Sequence, residues 1–337
     1  MYRLLRPRSS KTSSYFQTIS LRCRFHSRTH LTMSHTKFPT NHGIHFILDW
    51  DGTVTQKDTL DALVDMCKAT RPAAEISLTW TRLTESYMAD YEATIKEYAP
   101  EGKLPTSIPE ERKLLLVLEA VEQRSIDRVI DSRLFNDLTS QHIKSGADKA
   151  MSTKQIQFRY GYLDFENHLR SRNARYGPED EDQDIRNFLS VTWCRFLIAS
   201  CLDVSSVDPL SLGQIYANEL EDGIITRARV NPEGKIISSN DKLKTMKRLQ
   251  QWFEPKPVVY VGDSWTDLEC LLAADLGICM QDDPISSTQR KLAEALERLN
   301  VHCPHIREWE SVDEHRVVWV RDFDEIRAWV SEVDHRA

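Results

Sequence analysis

Residues 45–58 read His-Phe-Ile-Leu-Asp-Trp-Asp-Gly-Thr-Val-Thr-Gln-Lys-Asp. Phe46, Ile47 and Leu48 form an unbroken apolar run, the pattern of a strand buried on both faces. That run ends directly in Asp49 and Asp51. Two carboxylates two residues apart at the end of a strand repel each other unless something positive lies between or beside them. Gly52 then allows backbone conformations closed to other residues and a close approach to a ligand. The plainer alternative is an Asp-Gly turn closing an ordinary hairpin.

A second stretch argues against the hairpin. Val258-Val-Tyr-Val is another buried-strand run, and Gly262-Asp263-Ser264 is the loop at its end. Thr266 to Ala274 reads as a helix and Leu276 to Met280 as a further strand. Val317-Val-Trp-Val and a helix from Asp324 to Val330 repeat the alternation. Strands alternating with helices, with polar residues at each strand end, predict a doubly wound, Rossmann-like α/β sheet. Ligands of such sheets bind beyond the carboxyl ends of the strands, where both Asp-bearing loops belong.

Between the two stretches the chain reads first as helix. Asp58 or Thr59 can cap a helix through Leu60, Leu63 and Met66. Trp80, Leu83, Tyr87 and Tyr91 recur every three or four residues and make one apolar stripe. The stripe can line a ligand pocket, but a helix-bundle core is the commoner use. Pro109 suits the first turn of a helix through Leu118, and residues 125–138 and 151–158 continue in the same style. The predicted organisation is a basic leader (1–43), a first core segment (44–58), an inserted α-helical cap (59–155) and the remaining core (156–337).

Charge is distributed unevenly. The first 48 residues contain eight Lys and Arg and no Asp or Glu, whereas the whole chain carries −7. An acidic body does not favour nucleic acid or an anionic membrane as partner, and no apolar run approaches the roughly 18 residues of a membrane span. The Arg-, Ser- and Thr-rich leader resembles a mitochondrial transit peptide; a start at Met33 would instead give a cytosolic form. Seven scattered cysteines, none in a Cys-x-x-Cys pair, argue for a reducing compartment and against a disulfide framework or zinc site. Oligomeric state leaves no mark in the sequence.

Asp49-Trp-Asp-Gly-Thr-Val and Gly262-Asp-Ser-Trp-Thr-Asp267 resemble the first and last motifs of the haloacid dehalogenase-like phosphatases. Four motifs occur in the family's order between about residues 44 and 333. The resemblance implies a helical cap in the position called C1, Asp49 as the nucleophile that forms an aspartyl-phosphate, and Asp51 as general acid and then base. It also implies Mg²⁺ held by Asp49, Asp51 (through its backbone carbonyl), Asp263 and Asp267. Ser190 and Lys242 match the second and third motifs and would contact the phosphoryl group. Thr192 and Ser200 are alternatives to the first, and Lys235 and Lys244 to the second. Asp58, Thr59 and Trp193, with Arg159, are candidates for selecting the substrate. Ser190-Val-Thr-Trp-Cys, Tyr216-Ala-Asn-Glu-Leu and Tyr260-Val-Gly-Asp-Ser-Trp-Thr-Asp-Leu-Glu-Cys resemble the phosphatase domain of plant thiamine monophosphate phosphatases and fungal members of the same group.

The expected function is therefore a Mg²⁺-dependent phosphomonoesterase acting on a small phosphorylated metabolite, with thiamine monophosphate or a related cofactor phosphate as the specific expectation. Two alternatives stand beside it: a binding or regulatory protein with little turnover, and a phosphotransferase or phosphomutase that uses the same aspartyl-phosphate. Phosphoserine is a weaker expectation, because Ser190 is not followed by Gly-Gly.

Overall fold

The structure is a computed structural model that describes residues 43–177, 182–205, 212–227, 230–231, 234–312 and 315–336. Nearly all of the basic leader and the acidic run at 178–181 lie outside the described residues.

Strand β1 (His45–Leu48) runs into the loop of Asp49 and Asp51. Five helices follow: α1 (Leu60–Met66), α2 (Ala73–Tyr98), α3 (Ile108–Asp131), α4 (Ser140–Ser152) and α5 (Tyr162–Asn173). Next come β2 (Ile185–Leu189), α6 (Arg195–Val204), β3 (Ile215–Tyr216) and an antiparallel hairpin of β4 (Asn218–Glu221) and β5 (Ile224–Arg227). The remainder alternates: α7 (Ser239–Trp252), β6 (Val258–Gly262), α8 (Leu268–Ala273), β7 (Leu276–Met280), α9 (Ser287–Arg298), β8 (Val317–Val320) and α10 (Phe323–Arg336).

Six strands form one parallel sheet in the order β3-β2-β1-β6-β7-β8. The α/β expectation holds. Leu48 lies level with Phe188 and Val261, so the strands on both sides of β1 end beside the Asp49 loop. Alternate side chains of each strand enter opposite layers. Phe46, Leu48, Val259 and Val261 belong to one apolar cluster, and Ile47, Leu189 and Tyr260 to the other. Both faces are covered, which is why these strands read as continuous apolar runs. The chain leaves β1 toward β2 on one side and β6 on the other, so the Asp49 loop stands where the strand order reverses.

The helical stretch differs in detail from the sequence reading. Where two helices were expected over 110–118 and 125–138, α3 runs unbroken to Asp131, ahead of Arg133 at φ +55°. Helix α4 stops at Ser152, short of the expected helical run to Phe158. Instead the returning chain clamps the Asp49 loop: Phe158 bridges Thr55, and the Arg159 N–H donates to Val54 O at 2.8 Å. This pairing is tertiary and leaves no helical or strand periodicity in so short a segment. The helix expected from Thr266 begins as a 3₁₀ turn at Trp265–Asp267. There the Asp267 carboxylate folds back onto the Ser264 N–H and hydroxyl.

Candidate active site

Asp49 leaves β1 with its N–H donating to Val261 O on β6, which fixes the two strand ends relative to each other. Lys242, in the first turn of α7, is fully buried. Its ammonium donates to Asp49 Oδ1 at 2.8 Å and Asp267 Oδ1 at 2.7 Å. Asp267 Oδ1 also accepts from the Tyr260 hydroxyl at 2.6 Å, while Oδ2 accepts from the N–H groups of Asp263 and Ser264 and from the Ser264 hydroxyl. Burial pushes the Asp267 carboxyl up, but the Lys242 ammonium and these donors outweigh it and hold it below the ordinary range. Both of its oxygens are therefore committed to organising the loop.

Asp263 is placed differently. Its carboxylate is buried yet meets only hydroxyls, Thr53 at 3.2 Å and Thr288 at 3.5 Å. Burial, followed by the charges of Asp49 and Asp267, drives its pKa well above the carboxylate range. Burial likewise raises Asp49 to about 7, with Asp267 adding to the shift and Lys242 opposing it. One carboxylate oxygen from each of Asp49, Asp263 and Asp267 lies within 4.8 Å of the others. Three clustered carboxylates with one ammonium are short of positive charge, and a hard dication with oxygen ligands would correct that shortage. The residues fit Mg²⁺, with Asp49 and Asp263 better placed to ligate than the already saturated Asp267.

The Asp51 carboxylate stands outside that cluster. Its Oδ1 accepts from the Thr59 N–H at 2.7 Å and the Thr59 hydroxyl at 2.6 Å. Burial, then the Asp58 charge, raises it to about 8 in spite of those hydrogen bonds. Gly52 follows at φ +74°, and a Cβ there would sit 2.4 Å from Asp263 Oδ2. The sequence therefore needs glycine at this position both for conformation and for room.

Ser190 follows β2 and lines the same cavity, about 310 Å³, as Asp49, Asp51, Lys242 and Asp263. Its N–H donates to Tyr216 O, which leaves the hydroxyl to accept from the Thr192 N–H at 3.2 Å. Ser200 donates within its own helix. Lys244 is half exposed beside Asp241, and Lys235 does not line the cavity. Asp58 and Trp193 border this cavity and a second one next to it, and Thr59 acts through Asp51. Arg159 holds the loop from behind, donating to Gly52 O and Thr53 O and pairing with Asp282.

No family model matches the chain. A CTO1 family protein of Schizosaccharomyces pombe is 26% identical over 247 residues, covering 71% of this chain and 82% of that protein. The bifunctional TH2 protein, mitochondrial, of Arabidopsis thaliana is 26% identical over 269 residues, covering 72% of this chain and 40% of that protein. The chain therefore spans well under half of TH2. Among solved structures, a phospho-aspartyl intermediate analogue of phosphoserine phosphatase aligns with a TM-score of 0.47 at 15% identity, over 86% of this chain and 99% of that one. A phosphoserine phosphohydrolase-like protein from Francisella tularensis aligns with a TM-score of 0.43 at 14% identity, over 85% and 99%.

The sequence pattern did not mark several groups that complete this site. Thr53 and Tyr260 were legible in principle, since they lie inside the two motifs. Thr288, two residues into α9, and Glu122, in α3, carry no motif at all. The Trp80–Tyr91 stripe divides its use: Trp80, Leu83 and Tyr87 line the second cavity, while Tyr91 packs with Tyr87 against Leu114, Leu118 and Val121.

Proposed function

We propose that the protein is a Mg²⁺-dependent phosphomonoesterase acting on a small phosphorylated metabolite through an aspartyl-phosphate. The supporting observation is the opposite placement of two carboxylates on one loop. Asp49 is ion-paired to Lys242 within the carboxylate cluster, whereas the Asp51 carboxylate stands outside that cluster and is held by the Thr59 N–H and hydroxyl where it lines the cavity. Two carboxyls in such different surroundings can divide nucleophile and acid roles between them.

In the first step an Asp49 oxygen bonds to phosphorus as the ester O–P bond breaks. Asp51 gives its proton to the departing alkoxide. In the second step Asp51 takes a proton from the attacking water as the water oxygen bonds to phosphorus, the Asp49 O–P bond breaks, and phosphate leaves with the Asp49 carboxylate regenerated. Lys242 and the Ser190 hydroxyl line the cavity where the phosphoryl oxygens would carry charge. Mg²⁺ held by Asp49 and Asp263 would keep Asp49 ionised and neutralise the phosphoryl oxygens. The likeness of residues 190–194, 216–220 and 260–270 to plant thiamine monophosphate phosphatases supports thiamine monophosphate, or a related cofactor phosphate, as substrate. The leader, and the mitochondrial name of the Arabidopsis relative, support a mitochondrial form beside a cytosolic one.

The test is phosphate release from a panel of phosphomonoesters, with Mg²⁺ and with EDTA, together with transfer to an added alcohol. Metal-dependent release that Asp49→Asn removes is expected. Transfer in place of release would make the protein a phosphotransferase, and metal-independent release would overturn the metal assignment.

A further inference from the structure

The second cavity, about 280 Å³, opens beside Asp51 and Asp58 and has the size of the smaller ligand chambers. A leaving group attached to a phosphoryl seated at Asp49 would point into it. Its described lining holds three carboxyl residues, Asp51, Asp58 and Glu122, and no Lys, Arg or His. Trp80, Tyr87 and Trp193 supply its aromatic faces. Trp193 is fixed edge-to-face between Trp80, at 6.2 Å, and Phe135, at 6.1 Å. The Tyr87 hydroxyl donates to Glu122 Oε1 at 2.8 Å, which orients the carboxylate and leaves its second oxygen without a partner from Tyr87.

We infer that this chamber is a receptor for an organic cation on the leaving group of the substrate, with Glu122 as its specificity-determining carboxylate. The inference rests on the phosphomonoesterase reading and adds the chemical class of the alcohol. Aromatic faces attract a soft cation such as a quaternary or heteroaromatic nitrogen through their quadrupoles. Carboxylates in a chamber whose described lining has no basic side chain repel a second phosphate or an acid group. Sugar bisphosphates and nucleotides, whose leaving groups carry further negative charge, are rejected by the same chamber. Burial holds the Glu122 carboxyl above its ordinary range, and an adjacent cation would relieve that shift.

The experiment compares two phosphate esters of the same shape and different charge: phosphocholine and 3,3-dimethylbutyl phosphate. With Mg²⁺, the full chain should favour phosphocholine in kcat/KM by about tenfold, the scale of one desolvated cation–aromatic contact with its carboxylate. Glu122→Gln, which keeps the Tyr87 hydrogen bond, should bring that ratio near one, and Glu122→Asp should restore part of it. Equal turnover of the two esters by the wild type, or an unchanged ratio in Glu122→Gln, would overturn the inference. If neither ester is turned over, the phosphomonoesterase reading is decided by the wider panel of esters, and the chamber is judged by tryptophan fluorescence against choline and 3,3-dimethylbutanol. Preferential quenching by choline that Glu122→Gln removes sustains the receptor; its absence rejects it.

Discussion

The catalytic cradle and the chamber beside it are built by opposite means. In the cradle the central charges are buried and bonded to one another: Lys242 spans two carboxylates, and Asp267 alone accepts five donors. In the chamber the polar groups are few, half-buried and set among aromatic rings. Transferring a phosphoryl group requires charges fixed before the reaction begins, whereas accepting one alcohol over another requires shape and a sign of charge. The cradle comes from strand ends held in register by the sheet, and the chamber from helices that only packing brings over it.

The largest expected effect strikes the cradle. Lys242→Met leaves Asp49 and Asp267 buried and facing each other without their shared cation. Turnover should fall by at least about a thousandfold, and unfolding should cost about 3–5 kcal/mol less, the usual penalty for orphaning a buried ion pair. Urea unfolding and phosphate release measure the two losses separately. A variant that stays fully stable would mean that the two carboxylates share a proton and that Lys242 does not organise them. Gly52→Ala comes next. Its Cβ would meet Asp263 Oδ2, at a φ that L-residues rarely adopt, so the loop must shift. A displacement near 1 Å can cost about a hundredfold in rate. The Mg²⁺ concentration needed for half-maximal activity should rise as well, because the collision displaces a proposed ligand.

The same contrast explains what could be read from the chain. Asp49, Asp51, Asp263 and Asp267 sit within a few residues of apolar strand runs, so local pattern located the loops, and the parallel sheet followed from the alternation. Lys242 had to be chosen among three lysines, and its complete burial, with its bonds to Asp49 and Asp267, separates it from Lys244. Glu122 could not be found. It lies in mid-helix among Gln123, Arg124 and Asp127, which sit on an ordinary solvated face, and it is distinguished solely by Tyr87, 35 residues away in sequence. The hairpin of β4 and β5 was missed for a similar reason, since four-residue strands around Asp222-Gly223 carry little periodic signal.

Glu111 makes one of the contacts that join the two regions. Glu111, buried at the start of α3, accepts from the Trp265 indole N–H at 2.8 Å and pairs with Arg298 at 3.0 Å. Trp265 lies in the Asp263 loop, so this carboxylate ties the helix that carries Glu122 to the loop that carries the proposed metal ligand. Glu111→Gln keeps one acceptor for the indole and removes the charge opposite Arg298. Stability should drop by about 2 kcal/mol. If the tie positions the chamber, KM for esters with large leaving groups should rise more than kcat falls; equal changes for small and large esters would make Glu111 a purely structural residue.

The smallest effect tests whether the site is insulated from the far end of the sheet. His45 opens β1, four residues before Asp49, with its ring edge-on to Phe253 at 4.9 Å and Nε2 hydrogen-bonded to Asn187 Oδ1 at 2.7 Å. Burial lowers its pKa to about 4, with Asn187 opposing the shift and Lys256 adding to it. Below pH 6.5 the unfolded chain takes up a proton that the folded chain refuses. Stability from this group is therefore complete above that pH and declines as the pH falls toward 4. At pH 5.5 the loss amounts to about 1.4 kcal/mol. His45→Gln cannot titrate, so the difference in urea stability between pH 7.5 and 5.5 should shrink by about that amount relative to the wild type. The pH dependence of turnover should not change, because the proposed mechanism assigns it to Asp49 and Asp51 at the other end of the strand. A displaced pH–rate profile in His45→Gln would show that protonation at the start of β1 reaches the cradle, and the separation between scaffold and chemistry would then fail at its most rigid element.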